Sequence, residues 1–185
     1  MAEGDNLISV LVTDHREVEE MFTELETEGL SAQRRSELRD KVITELVRHS
    51  VAEEMYLYPT TRKVLPGGDQ LADREIEEHA AAERLMKDLE KVDPQDARFD
   101  DLLTQLITDV RGHVGEEETD LFPRLEAAGS DQELAELGAK VQQAKKLAPT
   151  RPHPSAPDTP PMNKVMGPPM GLVDRVRDAL SGRAT

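Results

Sequence analysis

The sequence predicts an all-α fold: an up-down-up-down four-helix bundle with a short fifth helix and a Pro-rich C-terminal tail. Three observations carry that expectation. Apolar residues recur at three- and four-residue spacing through four long stretches, the period of one buried helix face. The chain repeats itself at an offset of 64 residues, so that His49-Ser50-Val51-Ala52-Glu53-Glu54 returns as His113-Val114-Gly115-Glu116-Glu117-Glu118. Each of the four stretches also carries one histidine in its apolar stripe.

The first helix is expected over about 5–28, with Leu7, Ile8, Leu11, Val12, His15, Val18, Phe22 and Leu25 on one face and Gly29 as its stop. The second runs from about Ser31 to Leu57 with Leu38, Val42, Leu46, His49 and Glu53 in line. Pro59 ends or bends it, because proline lacks a backbone donor and clashes with the preceding turn. A connection over 59–68 leads to a third helix at about 69–91, broken by Asp93-Pro94. The fourth spans about 94–121, with Leu102, Leu103, Leu106 and Val110, and Pro123 closes it. A fifth, shorter helix covers 130–147, started by a capping box of Ser130 and Glu133. Residues 1–147 thus form one domain of two helical hairpins, roughly 5–58 and 69–123, plus that helix. The stretch 148–171 holds eight of the twelve prolines and is expected to be an extended linker. A short segment, 172–185, follows, in which Leu172 to Leu180 can form one short amphipathic helix, with Leu172, Val173, Val176 and Leu180 together, that docks on the body or on a partner protein.

Composition narrows the chemistry. Among 185 residues there is no Cys and no Trp, so thiolate metal sites, disulfides and Cys nucleophiles are excluded together. Aromatics are 3% of the chain, and the core must rest on aliphatic side chains and Met. The net charge is −15, with residues 1–144 at −19 and the remainder at +4. Such a body repels phosphate backbones, and no nucleic-acid partner is expected. No stretch approaches the roughly 20 apolar residues needed to span a bilayer, and no targeting signal stands out at the N-terminus. The expectation is a cytoplasmic protein with no membrane association.

The repeat extends beyond the opening motif. His15 maps onto His79, Leu25 onto Leu89, Leu38 onto Leu102, and Pro59 onto Pro123. Three residues before each histidine stands Val12, Leu46, Ile76 or Val110; seven before stands Ile8, Val42, Ala72 or Leu106. Both offsets share the histidine's face, so all four imidazoles are expected to point to the bundle axis. Four residues after each comes a glutamate: Glu19, Glu53, Glu83 and Glu117. Buried carboxylates meeting at one level repel unless protonated or bound to cations. One His–Glu pair at i, i+4 is commonly a surface pair; the same pair on all four helices points to a metal site. His153, in the Pro-rich tail, is expected to take no part.

Imidazole and carboxylate donors suit iron or manganese, and also zinc. Four His and several carboxylates exceed the needs of one tetrahedral zinc and favour two bridged ions. A Glu-x-x-His pattern is absent, because Val12, Leu46, Ile76 and Val110 stand three before the histidines. The order His, then His-x-x-x-Glu, twice over, resembles the hemerythrin-like family, the HHE cation-binding domain, over residues 5–125. The resemblance implies a four-helix bundle around a non-haem di-iron centre. It makes His15, His49, His79 and His113 iron ligands, with Glu53 and Glu117 bridging two iron ions.

Oxygen-carrying hemerythrins have five His and two carboxylates, so this chain is one His short. The remaining position is open to Glu83, Glu19, Asp120 or water. Tyr56, seven after His49, is a candidate to ligate iron or to donate a hydrogen bond to a bound oxygen species. The resemblance implies reaction with a small oxidant (hydrogen peroxide, oxygen or nitric oxide), including a catalase-like peroxide decomposition. The alternatives are an iron or redox sensor and an iron-storage module.

Overall fold

The computed structural model describes residues 6–156, 158–160 and 162–183. The first residue expected in helix one and the last two of the C-terminal segment lie outside the described residues. Every regular element among the described residues is helical: α1 (Leu7–Leu25), α2 (Ala32–Ala52), α3 (Tyr58–Val64), α4 (Gly68–Leu89), α5 (Ala97–Glu116), α6 (Phe122–Ala128), α7 (Asp131–Leu147) and α8 (Met162–Ser181). Caps start them where the sequence supplies a short polar side chain. Asn6, Ser31 and Asp96 accept from backbone amides at the starts of α1, α2 and α5. Ser130 and Glu133 make the expected capping box on α7.

Two five-residue π-helical turns, Glu53–Leu57 and Glu117–Leu121, join α2 to α3 and α5 to α6 without a break. In each, the backbone N–H closing the turn reaches back five residues, Tyr58 to Glu53 and Phe122 to Glu117. Pro59, expected to end or bend its helix, does not end it, and Pro123, expected to close the next, does not close it. The widened turn puts each proline where the i→i−4 donor is already displaced, so the helix continues to Val64 and Ala128.

The helices form two antiparallel hairpins, α1–α2 and α4–α5, and α7 packs along α1 and α2. Buried apolar residues fall into two clusters. One gathers Leu7, Leu11, Leu57, Tyr58, Leu121 and Phe122 with Val141 of α7. The other gathers Val18, Phe22, Leu38, Ile43, Met86 and Leu106. Along each long helix the histidine falls between the two clusters. At about 25 cal/mol per Å² of apolar area, the clusters hold the helices in register and fix a polar layer between them.

The tail departs from expectation. Helix α8 begins at Met162, inside the stretch read as an extended linker, and carries Pro168 and Pro169 within it. Gly171 packs so closely on Leu147 O and Ala148 O that a Cβ would have no room. Polar contacts hold the segment down. Thr150 and Arg151 amides donate to Asp174 at 3.2 Å, and Arg183, 4% exposed, donates to Glu90 at 2.6 Å. Arg151 pairs with Asp178 at 2.6 Å and with Glu90 at 3.2 Å. The helix therefore docks by its polar side. Leu172, Val173, Val176 and Leu180 face solvent.

Candidate metal centre

Four imidazoles meet in the layer between the two apolar clusters: His15 from α1, His49 from α2, His79 from α4 and His113 from α5, all with side chains at most 9% exposed. Their Nε2 atoms pair, His15 with His49 at 3.2 Å and His79 with His113 at 3.2 Å. Two fully buried carboxylates stand between the pairs. Glu53 places Oε1 3.0 Å from His49 and Oε2 3.3 Å from His79. Glu117 places Oε2 3.5 Å from His15 and Oε1 3.8 Å from His113. Each glutamate thus faces one imidazole of each pair.

Donor atoms of His15, His49, Glu53 and Glu117 lie within 4.8 Å of one another, as do those of Glu53, His79 and His113. Both Glu53 oxygens and Glu117 Oε2 are buried and receive no well-directed hydrogen bond. Bare carboxylate oxygens facing imidazole nitrogens in a dry interior fit a multivalent cation, which supplies the charge that burial otherwise denies them.

Around this layer each histidine has a carboxylate on its other nitrogen. Asp14 lies 3.2 Å from His49 Nδ1, Glu54 3.1 Å from His79, Glu78 3.0 Å from His113, and Glu118 2.8 Å from His15. With Nδ1–H held, Nε2 is the nitrogen left to face inward. The 64-residue repeat governs this ring too: Asp14 corresponds to Glu78 and Glu54 to Glu118. Lys145 of α7 backs Asp14, and Arg16 backs Glu118 at 2.5 Å.

The electrostatics of the metal-free layer follow. Burial alone would lower His49, but Glu53 and Asp14 carry it up to about 10. Burial likewise opposes the charged forms of His79 and His113, yet their carboxylates raise both. Glu53 is pushed up by burial and held well below the usual carboxylate range by His49 and His79.

Two features break the repeat. Tyr58 is fully buried, and its hydroxyl lies 3.1 Å from His79 Nε2 and donates to Glu117 Oε1 at 3.3 Å. Burial and the nearby Glu53 and Glu117 raise that phenol well above its usual value, so it keeps its proton. Its counterpart is Phe122, stacked on His15 with ring centroids 5.8 Å apart. Glu75, 1% exposed, lies 3.0 Å from His113 Nδ1 and forms a third cluster with His113 and Glu117; its counterpart is Leu11.

The structure brings together His15, His49, His79, His113, Glu53 and Glu117, and leaves the other candidates outside. Glu19 is half-buried and pairs with Arg111 at 2.7 Å. Asp120 is exposed and pairs with Arg124 at 2.9 Å. Glu83 accepts from the His153 amide at 3.1 Å, under the tail. On α1 and α4 the i+4 step, about 40° past the histidine, carries Glu19 and Glu83 out of the interior. Tyr56 is half-buried with Lys164 over its ring, 4.5 Å from the centroid. The extra residue of the π-turn turns Tyr56 away from the axis and brings Tyr58 in. His153 sits apart from the layer, 2.9 Å from Asp174. Sequence reasoning missed Tyr58, Glu75 and the outer carboxylates. The shared aromatic before Pro59 and Pro123, and the matched pairs 14/78 and 54/118, were the available signals.

The Hemerythrin HHE cation binding domain model matches residues 6–125, about two thirds of the chain. The chain belongs to the hemerythrin HHE family. Membership implies metal-ion binding, and the His/Glu clusters offer donor atoms that could hold an ion. An uncharacterised hemerythrin-like protein of Schizosaccharomyces pombe is 31% identical over 143 residues, covering 77% of this chain and 70% of that protein. A DNA nickase of Nostoc sp. is 29% identical over 140 residues, and the match spans 39% of that protein. The fold of this hemerythrin-like chain resembles the crystal structure of a Hemerythrin HHE cation binding domain-containing protein from Mycobacterium kansasii. The TM-score is 0.66, with 22% identity, covering 77% of this chain and 88% of that one. No described helix is long and apolar enough to cross a membrane.

Proposed function

We propose that this hemerythrin-like protein holds two iron ions and reacts with a small oxidant (hydrogen peroxide, oxygen or nitric oxide) in the cytoplasm. One observation carries the reading: two imidazole pairs face the same two carboxylates, Glu53 and Glu117, each of which reaches both pairs. Such a donor set would serve two ions, with Glu53 and Glu117 within reach of both imidazole pairs. Nitrogen and oxygen donors without sulfur suit iron, with manganese or zinc as the competing occupants.

His15 and His49 would hold one ion, His79 and His113 the other, with Glu75 and Tyr58 available only at the second end. Bound iron would supply redox equivalents. The chain keeps the two ends unequal: the Tyr58 hydroxyl, a proton donor, stands beside His79 and Glu117, where its counterpart in the other half is Phe122. The apolar clusters on either side limit bulk water.

Metal analysis and a visible spectrum, before and after peroxide, test this on the purified protein. Two irons per chain and a peroxide-sensitive charge-transfer band are expected. His49→Ala and His113→Ala should each lose metal; full iron content in both variants removes the proposed site. A sensor reading draws on the tail, because His153, Asp158, Asn163, Met166 and Met170 line a small cavity shared with His79 and Glu54. Metal-dependent proteolysis of the tail separates it from turnover.

A further inference from the structure

A cavity of about 500 Å³ opens on the four imidazoles from the side of the second apolar cluster. Its size is the first clue. Hydrogen peroxide needs roughly the space of two waters, ~60 Å³, whereas this volume lies in the range of pockets that hold organic ligands, about 300–1,000 Å³. Its walls are the second. Val18, Phe22, Leu46, Ala82, Met86 and Val110 line it, and all belong to or pack against that cluster.

The mouth supplies the third clue. Both arginines of the lining are taken up by carboxylates: Arg16 by Glu118 at 2.5 Å, and Arg111 by Glu19 and Glu26 at 2.7 and 2.9 Å. Asp109, Glu116 and Glu78 add negative charge to the lining. An anionic guest is repelled there, and the apolar interior favours a body that carries no charge. The wall chemistry admits a neutral molecule with an apolar body.

Building on the oxidant reading above, we propose that the cavity binds a neutral organic hydroperoxide, its alkyl or aryl group against the apolar wall and its O–O group at the imidazoles. The reaction is a two-electron reduction. The O–O bond breaks, ROOH takes up two electrons and two protons, and ROH and water leave. A dithiol supplies both electrons and both protons and becomes a disulfide, so the sum is ROOH + dithiol → ROH + H2O + disulfide.

The test has a binding arm and a turnover arm, both on the full chain. Binding uses 2-phenylpropan-2-ol, the unreactive alcohol of cumyl hydroperoxide, followed by ligand-detected NMR on metal-free protein. Ala82→Phe, which fills the wall, should weaken it at least tenfold; Val110→Phe serves the same purpose if the first variant fails to fold. Turnover compares cumyl hydroperoxide with hydrogen peroxide on iron-loaded protein with dithiothreitol. Ala82→Phe should slow the first at least tenfold and leave the second within twofold. Absent alcohol binding, or equal slowing of both peroxides, overturns the proposal. If the alcohol binds and is displaced by Ala82→Phe but neither peroxide is consumed, the oxidant reading fails and takes the hydroperoxide with it, leaving an apolar-ligand cavity.

Discussion

The Tyr58 hydroxyl donates to Glu117 Oε1 across 3.3 Å, linking the end of one hairpin to the shared carboxylate of the other. Tyr58→Phe removes that donor and the contact with His79. In the metal-free protein the loss should cost about 1–3 kcal/mol, the price of an unsatisfied buried acceptor, read by urea denaturation. In the loaded protein the visible spectrum or peroxide rate should change while metal content stays. Tyr56→Phe should leave all three readings unchanged, because that ring lies beside Lys164 instead.

The outer carboxylates should tune affinity without being ligands. Asp14→Ala frees His49 Nδ1 and strands Lys145. A 10–100-fold loss of metal affinity is expected, measured by competition with a chelator of known strength. Glu19→Ala is the control: its partner is Arg111 at the surface, and affinity should hold within twofold.

Stability and metal affinity should respond to pH in opposite senses. His49 in the metal-free fold sits at about 10, above its unfolded value of roughly 6.5. Its contribution is complete below about pH 6.5 and is lost as pH rises toward 10. Glu53 is held well below the usual carboxylate range, so its contribution is present above roughly pH 4.3 and is lost as pH falls. Metal-free protein should therefore be most stable near pH 5–6, seen in urea melts with chelator present. Metal affinity should rise from pH 6 to 8, because the ligating nitrogens must shed protons.

The tail should detach on loss of one residue. Glu90 accepts from both Arg151 and Arg183, and all three side chains are at most 12% exposed. Glu90→Ala removes one carboxylate from each of two buried guanidinium groups; Asp178 stays beside both, so the loss should fall below the roughly 3–5 kcal/mol of an uncompensated buried charge. Undocking of 148–183 caps the loss. Rapid proteolysis within that segment is expected, with metal content intact; resistance equal to the parent chain would show that the contact does not hold the tail.

The fold and the inner layer were legible because both are periodic. Apolar spacing gave the helices, and the 64-residue offset selected His15, His49, His79, His113, Glu53 and Glu117 from a chain rich in acidic residues. What escaped was local. Nothing in the apolar pattern announces a π-turn, and one extra residue is enough to exchange Tyr56 for Tyr58. The i+4 spacing marked Glu19 and Glu83 as equals of Glu53 and Glu117, yet spacing says which residues share a stripe and not which edge of it faces inward. Helix α8 was hidden by its prolines and by its orientation. Asn163, Asp174 and Asp178 are buried polar side chains on it, the reverse of the pattern that hydropathy looks for.

The 64-residue repeat means that one hairpin, paired with an identical copy, would already rebuild the layer of four imidazoles and two carboxylates. Such a dimer would be bound by its own two-fold axis, and its two ends could never differ. Joining the copies in one chain lifts that constraint. A hydroxyl could be kept at Tyr58 and lost at Phe122, and an acid placed at Glu75 opposite the apolar Leu11. Covalent fusion is what lets this protein own two unlike halves.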